Sequence, residues 1–165
     1  MKTYLITAVL FLFCIQFGFT GSVENEALEI KGFYLGMEKS AVQKNYQQLM
    51  NDKVAKYISI ENEEYRDLIK LDNEFGSMGN KIEIEYDDSG KAKSITFQYT
   101  TVDILFEASD MEAEVLVKEI EKKYKLPEMV FEDLGMVKIW TYVNEELKYK
   151  ISVDDYKNLR VQRIE

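Results

Sequence analysis

The sequence predicts an α+β fold built as two helix-plus-antiparallel-sheet repeats, with the helices packed on one face of the sheet. Three observations carry this. Residues 38–51 and 109–124 each space their apolar side chains for one face of a helix. Residues 81–99 alternate apolar and polar on either side of an Asp-Ser-Gly turn, the pattern of a hairpin with one buried and one wet face. The order of strand entry, amphipathic helix and antiparallel strands then occurs twice, and helices laid on one sheet face bury the apolar sides of both.

The N-terminus precedes the fold. Lys2 is followed by nearly unbroken apolar sequence from Tyr4 to Phe19, with Thr20, Gly21 and Ser22 behind it. That is the charge, apolar run and small-residue cleavage site of a secretory signal peptide. The run is shorter than the roughly 20 residues that span a bilayer, and no basic stop-transfer flank follows. Cys14, the single cysteine, follows Phe13 deep in the run, whereas a lipidation signal wants a small residue there. The expectation is a signal peptide over 1–21 and one α+β globular unit over 22–165, either a single mass or two lobes at about 28–100 and 101–165. The protein is then exported, periplasmic or extracellular, and holds itself together without a disulfide.

Glu29 to Tyr34 reads as the first strand, broken by Gly36. A helix follows from about Glu38 to Asn51, with Val42, Tyr46, Leu49 and Met50 on one face. Val54 to Ile60 is rich in β-branched residues and reads as a strand. Glu61 to Glu74 is ambiguous: Tyr65, Leu68 and Ile69 fit a short helix and residues 68–71 a strand, with a strand or an irregular crossover expected; residues 76–80 read as a loop. In the hairpin, Ile82, Ile84 and Tyr86 face Ile95, Phe97 and Tyr99 across the turn at residues 87–91. Thr100 to Phe106 continues as strand. Ser109 and Glu112 have capping-box spacing ahead of a helix bearing Ala113, Leu116, Val117, Ile120 and Tyr124, and Pro127 stops it. Met136 to Val143 is expected as a strand with Val137, Ile139, Thr141 and Val143 inward. Residues 147–153 return with Tyr149, Ile151 and Val153 inward, and Leu159 to Ile164 is the last strand.

The inventory excludes much chemistry. There is no histidine, so a Ser-His-Asp triad, a Cys-His pair and a histidine base are impossible. Zinc normally asks for histidine or cysteine. The Ser-x-x-Lys spacing is absent, and Gly76-Ser77-Met78-Gly79 is no phosphate loop. No cofactor or metal is implied. The formal charge is −9, and the leader, with one lysine and no acid, takes it one unit lower when removed. Such a surface argues against nucleic acid and acidic headgroups. It suits a basic protein partner, cation binding or plain solubility.

Carboxylates and aromatics remain. Glu83 and Glu85 lie on one strand face about 7 Å apart; as a pair they are glycosidase chemistry, and beside Lys81 they are an ordinary solvated face. Asp87 and Asp88 lack calcium-loop spacing and fit turn chemistry. Trp140 and Tyr142 share the strand face opposite Val137, Ile139 and Val143. If that face is open they form, with Met136, an exposed aromatic patch that anchors a protein partner. They are the candidate binding residues.

The corner Gly32, Leu35, Gly36, Met37 and Val42 resembles a pattern of small exported bacterial proteins: the outer-membrane assembly lipoproteins of the SmpA/OmlA type and domains similar to the β-lactamase inhibitor protein. About 15 residues carry the resemblance. Glu38 stands where the family usually places a capping Ser or Thr, and the lipidated cysteine of the lipoprotein members has no counterpart after the signal. The resemblance implies a binding module with no catalytic residue. The expected function is therefore exported macromolecule binding, as an enzyme inhibitor or envelope assembly factor, and not catalysis; the alternative is a carboxylate-dependent hydrolase such as a glycosidase.

Overall fold

The computed structural model describes residues 28–51, 57–72 and 79–164. The expected signal segment, residues 54–56 and residues 76–78 lie outside them.

The chain opens on a corner. Glu29 to Tyr34 is a tight hairpin of β1 (Glu29–Ile30) and β2 (Phe33–Tyr34), not the single strand expected. Lys31 and Gly32 turn it at φ 52° and 86°, the double positive φ of a two-residue hairpin loop. Helix α1 (Lys39–Asn51) locks it, since Asn45 Nδ2 donates to Gly32 O. A Cβ at Gly32 would meet that nitrogen at 3.1 Å. The corner then docks on the sheet: Gly36 N–H donates to Ala92 O at 2.7 Å and Ala92 N–H to Met37 O at 2.9 Å. Ile30, Phe33, Met37 and Val42 are buried.

Eight strands form one antiparallel sheet. They are β3 (Tyr57–Asn62), β4 (Arg66–Asp72), β5 (Lys81–Tyr86), β6 (Ala92–Phe97), β7 (Val130–Asp133), β8 (Lys138–Asn144), β9 (Tyr149–Asp154) and β10 (Leu159–Arg163). Their spatial order is β3-β4-β5-β6-β10-β9-β8-β7. The last strand inserts beside β6, with Leu159 opposite Phe97 and Val161 opposite Ile95, so apolar side chains meet apolar side chains across the join. Two short helices, α2 (Tyr99–Phe106) and α3 (Ala113–Tyr124), are the other helices among the described residues. None of the helices among the described residues is long and apolar enough to cross a membrane.

This corrects the expected fold class. Strand makes up 42% and helix 25%, and the architecture is one large sheet with three short helices, not two helix-plus-sheet repeats. Local pattern expected two helices where the described residues hold three, and it undercounted the strands. The ambiguous 61–74 stretch holds β4. The strand β7, at 130–133, was not expected at all.

Three further differences have physical reasons. Thr100 to Phe106 is helix, although its β-branched residues favour strand. Val102 N–H donates to Gln98 O at 2.9 Å, and Thr101, Val102 and Leu105 all reach the core, a spacing only a helix provides. Tyr99 begins that helix and so leaves the hairpin. The Ser109 capping box does not form: Glu112 is the N-cap of α3, without a side-chain cap bond. The α3 face itself is as expected, with Ala113, Leu116, Val117 and Ile120 buried; it ends in left-handed Lys125, two residues before Pro127.

The third concerns β8, whose inward face is reversed. Trp140 and Tyr142, not Ile139 and Val143, share the core side with Val153 and Ile151 of β9. Both faces of β8 are apolar, so alternation cannot choose between them. The aromatic pair buries more area, and Val143 is left 40% exposed.

Candidate functional site

The core lies on one side of the sheet. Ile69, Leu71, Ile82, Ile84, Phe97, Leu159, Val161, Ile151 and Val153 all point there, together with the buried residues of the three helices. Among the described residues no helix lies on the other side, where the polar partners of each alternation line up. Across five strands one row runs Glu83, Thr96, Arg160, Ser152, Thr141. Glu83, Thr96, Arg160 and Ser152 of this row, with Ile139 of β8 and Asp154 of β9, line an open trough of about 800 Å³.

Ion pairs and hydrogen bonds set the trough's surface. Arg160 Nε donates to Ser94 Oγ at 3.1 Å and its Nη2 lies 3.8 Å from Glu85 Oε2. Arg66 bridges Glu83 at 3.2 Å and Glu63 at 2.7 Å. At one end, Asn158 accepts the Tyr99 N–H at 3.0 Å and is itself held by two bonds of 2.8 Å with Asp154. That fixes Tyr99 at the rim, which Tyr156, 61% exposed, also lines.

Glu83 and Glu85 do share one face of the trough, as strand alternation expects. Each is engaged by a guanidinium, on a shallow surface rather than astride a deep cleft. A glycosidase needs one carboxyl free to deliver a proton and one free to attack or to activate water. Asp87 is committed elsewhere: its Oδ1 accepts from Ser89 N, Ser89 Oγ and Lys91 N, and its Oδ2 from Arg163. These bonds, the Ser89 hydroxyl first, pull its carboxyl down to about 2.

Trp140 and Tyr142 are half-buried on the helix-covered side, and each packs on a different ring. Trp140 packs on Phe131 of β7, ring centroids 5.2 Å apart. Tyr142 meets Tyr149 edge-on at 6.2 Å. With Tyr34 and Tyr124 this pair lines a second cleft of about 720 Å³ between the corner and the end of α3. Burial and the Glu29 carboxylate push the Tyr124 phenol up to about 12.

A buried polar cluster sits beneath α1. Asp67 is fully buried, accepts the Tyr86 hydroxyl at 2.7 Å and has Lys39 Nζ at 3.4 Å. Burial first, then the Asp67 bond, raise the Tyr86 phenol well above its ordinary value. Lys39 also donates to Glu63 O at 2.6 Å and lies over the Tyr86 ring. The cluster ties the start of α1 to β4 and β5 and has no opening toward the trough.

Comparison with protein-family models finds none that matches the chain, and comparison with curated proteins finds no match either. The site must speak through its own residues.

Sequence reasoning missed the trough's Arg160, Tyr99 and Tyr156, and Arg66, which pairs with its Glu83. A signal for one was present, since Arg160 alternates with Leu159 and Val161 and so had to face away from the core.

Proposed function

We propose that the chain is an exported protein-binding module whose contact surface is the uncovered trough. The observation that carries the reading is the trough's composition on rigid strands: Tyr99 and Tyr156 at the rim, Arg160 and Ser152 within. Tyrosine and arginine are the residues that protein interfaces concentrate, and a strand-built surface loses little freedom on binding. The formal charge of −9 favours a basic partner, steered in by the field and weakened by salt.

Export rests on the leader at 1–21. The corner at Gly32, Leu35, Gly36, Met37 and Val42, with its resemblance to small exported bacterial binding modules, supports two versions: an inhibitor of a secreted enzyme, or an envelope assembly factor. Binding is favoured over a carboxylate-dependent hydrolase because Glu83 and Glu85 are each taken up by arginine.

The test is affinity capture from envelope extract with the tagged full chain, washed at low and high salt, beside Tyr156→Ala and Arg160→Ala. The expected result is one stoichiometric protein, released by high salt and lost from both variants. No partner at either salt, or equal capture by both variants, overturns the reading. Hydrolysis of an extract component that disappears in Glu83→Gln or Glu85→Gln would put the hydrolase in its place.

A further inference from the structure

The strand β7 ends the sheet, paired on one side only, with β8. All four of its residues are exposed, and the hairpin around it carries the largest apolar exposure of the described residues: Val130 63%, Phe131 50%, Leu134 66% and Met136 90%. Leu134 N–H donates to Val137 O at 3.0 Å and closes the hairpin. Antiparallel ladders alternate bonded and non-bonded pairs. Glu132 and Val130 therefore exchange bonds with β8, while Phe131 and Asp133 turn N–H and C=O outward.

Charge decides what can pair there. Glu132 and Asp133 are the strand's only charged residues, Glu128 stands just before it, and no base lies on it. In a second copy paired antiparallel, the register that uses both outward residues sets Phe131 opposite the copy's Asp133, and so Glu132 directly opposite Glu132. Like charges in that position destabilise the pair. Pairing Phe131 with Phe131 instead needs Met129, whose N–H already donates to Glu121 Oε1 at 2.6 Å. Pairing Asp133 with Asp133, each beside its own Lys138, sets Phe131 against Gly135 and leaves its ring without an apolar partner.

We infer that β7 is the docking edge for an extended basic strand of a partner protein, which joins the sheet as a ninth strand. Its residue opposite Glu132 is Lys or Arg. Its residues beside Phe131 are apolar and cover the Phe131–Trp140 contact. Backbone bonds from Phe131 and Asp133 supply the affinity, and the alternation of base and apolar residue supplies the selectivity. No residue of β7 lines the trough, and the inference stands without it.

Trp140, the one tryptophan of the chain, lies against Phe131 and reports occupancy by its fluorescence. The probe is a capped hexapeptide, Lys-Val-Lys-Phe-Lys-Val, added to the full chain, with Glu-Val-Glu-Phe-Glu-Val as comparison. The basic probe is expected to give a saturable Trp140 signal that weakens with salt, and the acidic one none. Asp133→Pro removes an outward N–H, the carboxylate that accepts the Gly135 N–H and one negative charge, but no ladder bond, and should weaken the basic probe severalfold. A second measurement leaves the protein intact: probes N-methylated on alternate amides, along one edge or the other, should lose binding in one isomer and keep it in the other. Tyr156→Ala should leave the Trp140 signal unchanged, so failure of the trough and failure of the edge read separately. Equal binding of basic and acidic probes, or of both methylated isomers, overturns the inference. So does a dimer of the full chain that Asp133→Pro dissociates, because a second copy would then be the occupant.

Discussion

The Tyr86 hydroxyl donates to Asp67 Oδ2 at 2.7 Å across neighbouring strands, with both residues out of water. Asp67 Oδ1 accepts no hydrogen bond and has Lys39 Nζ 3.4 Å away. Tyr86→Phe therefore leaves a buried carboxylate one donor short, at a cost of about 1–3 kcal/mol. Urea unfolding should show a lower midpoint with an unchanged slope. A double-mutant cycle with Asp67→Ala should show a coupling of roughly 0.5–3 kcal/mol. Strictly additive losses would mean that the two side chains stabilise the fold independently.

The sequence was most legible where one period dominates. Val42 and Leu49 of α1, Leu116, Val117 and Ile120 of α3, and the alternation of Ile82, Ile84 and Tyr86 all landed as their spacing requires. It failed where two signals compete. Thr100, Thr101 and Val102 favour strand locally, but burial of Val102 with Leu105 makes a helix. Ile139 and Val143 compete with Trp140 and Tyr142 for the same core. The fold class failed for a non-local reason: nothing near Leu159 says that its strand will lie beside Phe97, 62 positions earlier. The trough depends on that same pairing, since it brings Arg160 beside Ser94 and Glu85.

The Tyr124 phenol makes stability fall in alkali. Its folded value is raised to about 12 by burial and by Glu29, against about 10 in an unfolded chain. Below about pH 10 both states keep the proton and the contribution is fully present. Between about 10 and 12 only the unfolded chain releases it, so stability drains as pH rises. Tyr124→Phe should flatten that decline relative to the natural chain while leaving the slope below it alone, as read by urea midpoints stepped through alkaline pH. Parallel declines for the two proteins would contradict the assignment.

Asp87 acts at the other end of the scale. Ser89, the Lys91 N–H and Arg163 hold its carboxyl at about 2, below the ordinary value of about 3.9. Its contribution is whole above about pH 4 and is lost as pH falls toward 2, where the folded state must also take up the proton. Asp87→Asn should therefore remove part of the pH dependence in that window, followed by acid-unfolding midpoints. An unchanged acid limb would show that the turn gains nothing from the charge.

Gly79 tests whether the trough's rim matters. It sits at φ 69°, and a Cβ there would lie 2.2 Å from Tyr99 Cε1, so Gly79→Ala must drive the Tyr99 ring from its place at the rim. Gly90 has a similar φ of 77° with nothing within 4 Å, which makes Gly90→Ala the matched control. Both substitutions bear the left-handed strain of a Cβ, about 1–2 kcal/mol, and both should lower the unfolding free energy in urea by at least that. Only Gly79→Ala should also lower affinity for the protein captured on the trough. If the two variants bind it equally, Tyr99 makes no contact with the partner, and the interface must lie nearer Arg160 and Ser152.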